Sequence, residues 1–376
     1  MVIVFAGLFA LALFWLQRQL YRRWWTQDVS VVLNFEKTMV RAGEEVRLLE
    51  VIENRKRLPL PSLKVKFQCS RHLIFSDSTN SSVTDRYYRN DLFSVMPYQR
   101  ITRTHHVSCP RRGYYGIYGI DLVGADLFFS QEMTHSTGSE TILYVLPAPL
   151  SPSVLDTALK RIQGELEVRK YEMEDPFTFQ GIREYQTFDA MKDINWKATA
   201  RTGELKVNVR SHTAVSSVRI FMNLEDNGIL RTEELLEMSL SLCAGLAEQL
   251  LAQGIRLSIY GNGTDCVSGR MLELQELTDK SSMDTAYKAL ARIDLSAPME
   301  NFEEAFRDKL YDRRKDTYTL FLSPDFHRNY QQILVNYGVQ AGKDFLWICP
   351  VKKEKEASSE IMEELRAQTL ILEESE

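Results

Sequence analysis

The stretch Val218-Arg219-Ile220-Phe221-Met222-Asn223 decides how the C-terminal half is read. It is a short apolar run rich in β-branched and aromatic residues, the mark of a buried strand. Residues 232–253 then carry apolar side chains at helical spacing, namely Leu235, Met238, Leu242, Leu246 and Leu250, and residues 255–260 read again as strand. The alternation continues with helices over 283–293, 301–311 and 330–337, strands over 318–323 and 345–349, and an acidic amphipathic terminal helix over 358–368. Strands separated by helices of this length need crossover connections. The spacing therefore predicts a mainly parallel, doubly wound α/β domain over 213–376.

Upstream the rhythm is different. Residues 63–67 read Leu-Lys-Val-Lys-Phe, a strict period of two with one face apolar. Further strands are expected over 31–35, 46–51, 102–108, 116–123 and 141–146, separated by Gly43, Pro59, Pro61, Pro110, Gly113 and Gly138. Short strands with turn residues between them predict an antiparallel, sandwich-like module over 27–150. Residues 76–91, rich in Ser, Asp and Asn, are expected to form an exposed loop.

Residues 2–16, VIVFAGLFALALFWL, contain no charge and no proline. As a helix they span only about 23 Å, short of a hydrocarbon core of about 30 Å, so continuation through Gln17 toward Leu20 is expected. A cleaved signal peptide would have a basic start and a small-residue cleavage site, and both are missing. Arg18, Arg22 and Arg23 follow the run, which by the positive-inside rule leaves the body in the cytoplasm of a single-pass protein. Tyr21, Trp24 and Trp25 suit the membrane interface. Residues 1–26 are thus read as a transmembrane anchor with its basic and aromatic flank.

Composition agrees with this arrangement. The chain has 376 residues, 44% hydrophobic and 26% charged, which excludes wholesale disorder and a polytopic membrane fold. A formal charge of −5 gives no general attraction for nucleic acid. The five cysteines are scattered and odd in number, as suits reduced thiols in a cytoplasm.

The most specific segment lies over 151–212. It reads Gly181-Ile182-Arg183-Glu184-Tyr185-Gln186, then Asp189, then Asp193-Ile194-Asn195-Trp196-Lys197-Ala198-Thr199-Ala200-Arg201-Thr202-Gly203. It resembles the signature of the domain-of-unknown-function family 58, R-x-Y-x-x-G-D followed by D-I-x-W-K-A-[ST]-A-R. Ile52-Glu53-Asn54-Arg55 and Leu58-Pro59-Leu60-Pro61 are similar to the family's N-terminal region. Phe188 stands where the family has Gly, and Gly124-Ala125-Asp126-Leu127-Phe128 replaces a D-P-F-G-L-type stretch, so the chain looks like a divergent member. The resemblance implies a von Willebrand factor A-like α/β end. It also implies a MoxR-type AAA+ ATPase as partner, often beside a transglutaminase-like membrane protein, and no known catalytic activity.

Physically, a helix over 193–201 sets Asp193 four residues before Lys197, the favoured order for an ion pair. Gly203 would end that helix. Asp189 is placed either as an N-cap or as a partner of Arg183. One reading is a buried Arg–Asp–Trp network; the other is a docking surface, with Arg183, Tyr185, Asp189, Asp193, Trp196, Lys197 and Arg201 as its residues and Trp196 as anchor.

Von Willebrand A-like folds hold Mg²⁺ through an Asp-x-Ser-x-Ser loop after the first strand. The corresponding stretch is Asn223-Leu224-Glu225-Asp226-Asn227, which lacks the leading Asp and both hydroxyls. Asn223, Glu225, Asp226 and Asp325 form at most a degenerate divalent-ion site, and no cofactor is expected. Gly261-Asn262-Gly263 reads as a turn, and the six histidines show no metal-binding spacing. Arg111-Arg112 and Lys352-Lys353 read as surface charges. No nucleophile–base pair is evident, so no catalytic residue is assigned. The favoured function is a membrane-anchored adaptor for an AAA+ ATPase; the alternative is an ion-dependent adhesion or hydrolytic protein.

Overall fold

A computed structural model describes residues 1–77, 81–83, 86–172, 174–187, 189–212, 217–225, 233–312, 317–341, 344–352 and 360–373. The chain divides into two compact units, Met1–Pro149 with Tyr287–Ile293, and Leu150–Ala286 with Asp294–Glu376.

The first unit opens with helix α1 (Val2–Trp24). Its 23 residues span about 34 Å, so continuation past Leu16 makes it long and apolar enough to cross a membrane. Strands β1 (Val29–Phe35), β2 (Met39–Arg41), β3 (Glu45–Asn54), β4 (Leu60–Ser70), β5 (Ile74–Phe75), β6 (Ser81–Val83), β7 (Arg86–Val95), β8 (Arg100–Ser108), β9 (Gly113–Ala125) and β10 (Glu132–Leu146) follow. They form two sheets, β1-β3-β8-β5 and β2-β10-β9-β4-β7-β6. Among the described residues their pairings are antiparallel, as expected of a sandwich-like module, except β2 with β10, which is parallel. Alternate residues of both sheets, among them Leu33, Leu48, Ile52, Leu63, Val65, Ile117 and Val145, enclose one apolar cluster. Burying each such side chain stabilises by about 1.5–3 kcal/mol.

The foot of α1 belongs to that cluster. Tyr21 is 1% exposed and its hydroxyl donates to the Pro59 carbonyl at 2.8 Å. Trp25 lies over Gly124, where an added Cβ would sit 2.6 Å from the indole Cε3. Lys56 Nζ donates to the carbonyls of Trp25 and Gln27, and burial lowers its pKa to about 8.

Two expectations fail in this unit. Of the loop expected over 76–91, residues 78–80 and 84–85 lie outside the described residues, while 81–83 and 86–91 are strand, with Arg89 and Asp91 at inward positions of β7. Arg112 is no surface charge; it is buried, and its Nη1 donates to the carbonyls of Leu290 and Ile293 at 2.7 and 2.8 Å.

The rest of the chain, mostly the second unit, contains α2 (Pro152–Glu172), β11 (Glu174–Glu184), α3 (Trp196–Thr202), β12 (Lys206–His212), β13 (Ser217–Met222), α4 (Glu233–Ala252), β14 (Arg256–Asp265), β15 (Met271–Leu277), α5 (Lys280–Ala291), β16 (Ile293–Asp294), α6 (Phe302–Leu310), β17 (Thr317–Leu322), α7 (Arg328–Ala341), β18 (Phe345–Val351) and β19 (Thr369–Glu373), with α5 and β16 each having residues in both units. Strands β11 and β12 make an antiparallel ribbon with α3 in their connection. The main sheet runs β15-β14-β13-β17-β18-β19, parallel except for β15. Strands β17 and β18 are buried along their whole length, as parallel strands covered on both faces are, and are mostly apolar, with Thr317 and Thr319 the polar residues of β17. Helix α4 has the length and composition of a membrane span, yet it is buried in this core. Phe221, Phe302, Phe306, Phe321, Tyr337 and Trp347 form an aromatic cluster.

Here too the sequence reading needs correction. Of the terminal helix expected over 358–368, residues 358–359 lie outside the described residues, Glu360 is helical, and Glu363–Gln368 is a 3₁₀ helix that leads into strand β19. Gly261-Asn262-Gly263 is not a turn but lies inside β14. Helix α2 was not anticipated from the sequence.

Candidate functional site

The signature residues gather on the connection between β11 and β12. Arg183 at the end of β11 donates to both carboxylate oxygens of Asp189, from Nη1 at 2.6 Å and Nη2 at 2.5 Å. Asp189 also accepts from the Gln186 backbone N–H at 2.8 Å. The adjacent guanidinium holds the Asp189 carboxyl below its usual range. Of the two roles expected for Asp189, partner of Arg183 is the one observed.

Asn195 caps α3, its Oδ1 accepting from Ala198 N at 2.9 Å. Its Nδ2 donates to Asn208 Oδ1 on β12 at 2.6 Å. The helix ends at Gly203, whose φ of 77° is left-handed backbone that glycine adopts freely. Asp193 lies in a 3₁₀ turn before the helix, so the expected Asp193–Lys197 spacing does not fall within one helix. Tyr185 is half-buried, and its backbone N–H donates to Leu205 O at 3.0 Å.

The expected buried network is overturned at its centre: Trp196 is 64% exposed. Lys197 and Arg201 are exposed as well, and Met191 is 72% exposed. The lobe thus offers a flat aromatic side chain and two cations from a short helix fixed at both ends, and a thioether from the 3₁₀ turn before it. Phe188 lies outside the described residues.

A second polar group stands at the carboxyl ends of β13, β14 and β17, where the strand order reverses and open α/β sheets bind ligands. Asn223, Glu225 and Asp325 meet there; Asp226 and Asn227 lie outside the described residues. Asn223 Oδ1 accepts from Glu225 N at 3.1 Å and from Asn262 Nδ2 at 3.1 Å. Asn262 Oδ1 accepts from Leu224 N at 2.8 Å. Glu225 Oε2 accepts from Phe302 N at 3.2 Å, while burial and then the charge of Asp325 raise its pKa. Asp325 Oδ1 accepts from the backbone N–H of His327 and lies 2.6 Å from its Nδ1.

This donor set does not fit a hard cation. The Asn223 oxygen already takes two donors, and its buried Nδ2, which has no hydrogen-bond partner, presents positive charge where an ion would need a lone pair.

A third cluster was missed in the sequence. Glu50 (β3), His105 (β8) and Asp91 (β7) place one ligand-type atom each within 4.8 Å of one another, inside the first unit. Glu50 Oε2 lies 2.9 Å from His105 Nε2. Asp91 accepts from Arg89 Nε at 2.6 Å and from Arg103 Nη1 at 2.8 Å. With two guanidinium groups already on Asp91, the cluster is an ionic link between the two sheets rather than a metal centre. Burial raises the Glu50 pKa. The signal was present as alternation in Tyr87, Arg89, Asp91, Phe93 and Val95, concealed because two of the inward positions are charged.

No protein-family model and no curated protein matches the chain. Among solved structures it is similar to a chain of a type I cohesin–dockerin complex from Clostridium thermocellum, at 12% identity over 32% of this chain and 100% of that one, with a TM-score of 0.23. It is also similar to a non-cellulosomal cohesin from Archaeoglobus fulgidus, at 10% identity over 31% and 91% of the two chains, TM-score 0.21. A third is the CARDB domain of a Pyrococcus furiosus protein in complex with di-metal ions, at 13% identity over 30% and 90%, TM-score 0.20. At these scores the likeness assigns neither fold nor function.

Proposed function

We propose that the chain is a divergent protein of the domain-of-unknown-function family 58 type: a single-pass, membrane-anchored adaptor, its body cytoplasmic, that docks a MoxR-type AAA+ ATPase. The observation that carries this reading is the 64% exposure of Trp196 on a helix capped by Asn195 and ended by Gly203. A large apolar ring kept in water by a rigid scaffold costs solvation and gains nothing inside the fold. Trp and Arg are the side chains that dominate binding energy at protein interfaces. Lys197 and Arg201 flank it and suit an acidic patch on the partner.

The second unit is read as von Willebrand A-like, on the order of its parallel strands and the polar crevice at their carboxyl ends. On this reading the amide of Asn223 stands where such folds carry a carboxylate ligand. The anchor reading rests on the length of α1 and on Arg18, Arg22 and Arg23. A transglutaminase-like membrane protein is the expected neighbour in the assembly.

Detergent-solubilised full chain should capture a MoxR-type ATPase encoded beside it. Trp196→Ala and Arg201→Ala should each weaken capture by tenfold or more, about 1.4 kcal/mol. Equal capture by wild type and both variants would remove the docking role.

A further inference from the structure

We infer that the turn between β9 and β10, Leu127-Phe128-Phe129, is a second lipid-contacting element that seats the first unit on the bilayer beside α1. The inference rests on the reading of α1 as a membrane span. These three consecutive side chains are 47%, 64% and 66% exposed, a continuous apolar tip. Phe129 has φ +55°, left-handed backbone that a bulky residue adopts only under constraint.

The constraint is visible at both ends of the turn. Asp126 is fully buried, accepts from Ser130 N at 2.7 Å and Ser130 Oγ at 2.5 Å, and takes Gln17 Nε2 of α1 at 3.1 Å. Gln131 accepts from Arg18 Nε at 3.0 Å and returns a bond from its Nε2 to Arg18 O at 3.1 Å. Consecutive residues of the helix thus clamp the two ends of the turn.

The clamp fixes the depth of the tip. The Phe128 ring lies 5.7 Å from that of Phe14, centroid to centroid. Phe14 is two residues, about 3 Å along the axis, before the apolar run ends at Leu16. When α1 is in the membrane, Phe128 therefore reaches the boundary between acyl chains and headgroups, the level at which interfacial apolar faces bind. Arg18, Arg22 and Arg23 then stand among the headgroups. The occupant is the lipid bilayer, because the tip continues the apolar surface of α1 without a gap at Phe14.

The test uses the full chain in phosphatidylcholine–phosphatidylglycerol vesicles and a nitroxide label at single positions. Cys266→Ser removes the exposed thiol; Cys69, Cys109, Cys243 and Cys349 are buried and stay unlabelled. Labels go on Leu127→Cys and Phe129→Cys, which leave the Phe14–Phe128 contact in place. Leu8→Cys reports the middle of α1. Ile74→Cys, at the opposite end of the β3–β8 sheet from Asn54, reports bulk water.

The labels at 127 and 129 should collide several-fold more often with oxygen than with a water-soluble nickel chelate, as at position 8, with the reverse at 74. If 127 and 129 behave like 74 while position 8 is in lipid, the inference is wrong and the anchor stands. If position 8 is itself in water, the anchor reading falls and takes the inference with it.

Discussion

Glu50 and Asp189 are both carboxylates beside a cationic or imidazole partner, and their surroundings move them in opposite directions. The Asp189 pKa is lowered, so its contribution is present above the unfolded aspartate value near 3.9 and is lost as pH falls through the folded value. The Glu50 pKa is raised by burial, so the stability linked to its protonated form is present below the unfolded glutamate value near 4.3 and is lost as pH rises through the folded value. Chemical denaturation of the first unit between pH 4.5 and 7 should therefore show wild type losing stability relative to Glu50→Gln as pH rises. Parallel curves would contradict the assignment. At this scale the sequence was readable where partners are close along the chain, as for Arg183 with Asp189 and for Gly203 at the end of α3. It was opaque where a charge faces inward: Arg89, Asp91 and Arg112 were taken for surface residues because burial of a charge depends on partners far away in sequence.

Elements were legible in proportion to their periodicity. The apolar stripe of α4 and the mostly apolar strands β13, β17 and β18 were plain, since a buried parallel strand is dominated by apolar side chains. Helix α2 was not, because its stripe is interrupted and its composition polar. The terminal segment misled because an acidic amphipathic pattern fits a helix and the approach to an edge strand equally well. Two local devices carry quantitative consequences. Removing the cap with Asn195→Ala should cost about 1 kcal/mol, seen as a roughly fivefold loss of hydrogen-exchange protection at Ala198 and Thr199. Gly124→Val forces a side chain into the Trp25 ring and should cost about 1–3 kcal/mol in urea unfolding. Gly138→Ala, where an added Cβ meets nothing within 4 Å, is the control and should cost far less.

For the molecule as a whole, α1 is a plug at its foot and, on the proposed reading, a leash above it. Its first sixteen residues are exposed apolar surface apart from the half-buried Phe14, while Tyr21 and Trp25 complete the core of the first unit. A fragment beginning at Gln17 should fold with near-native stability in that unit. One beginning at Thr26 should lose about 3–5 kcal/mol or fail to fold, the cost of emptying a large aromatic site. The division between a β-rich first unit and an α/β second unit was foreseeable from the change of period near residue 150. The exposed setting of Trp196 was not, because Trp at helical spacing reads equally as core.

The central claim is that this body presents Trp196 to a partner while tethered. Replacing Trp196 with a photo-crosslinking phenylalanine analogue, in intact membranes that also contain a MoxR-type ATPase, the proposed partner, tests it most directly. Irradiation should join the two chains from position 196 and not from Val339, which is 82% exposed on α7. Crosslinks from 339 with none from 196 would contradict the account.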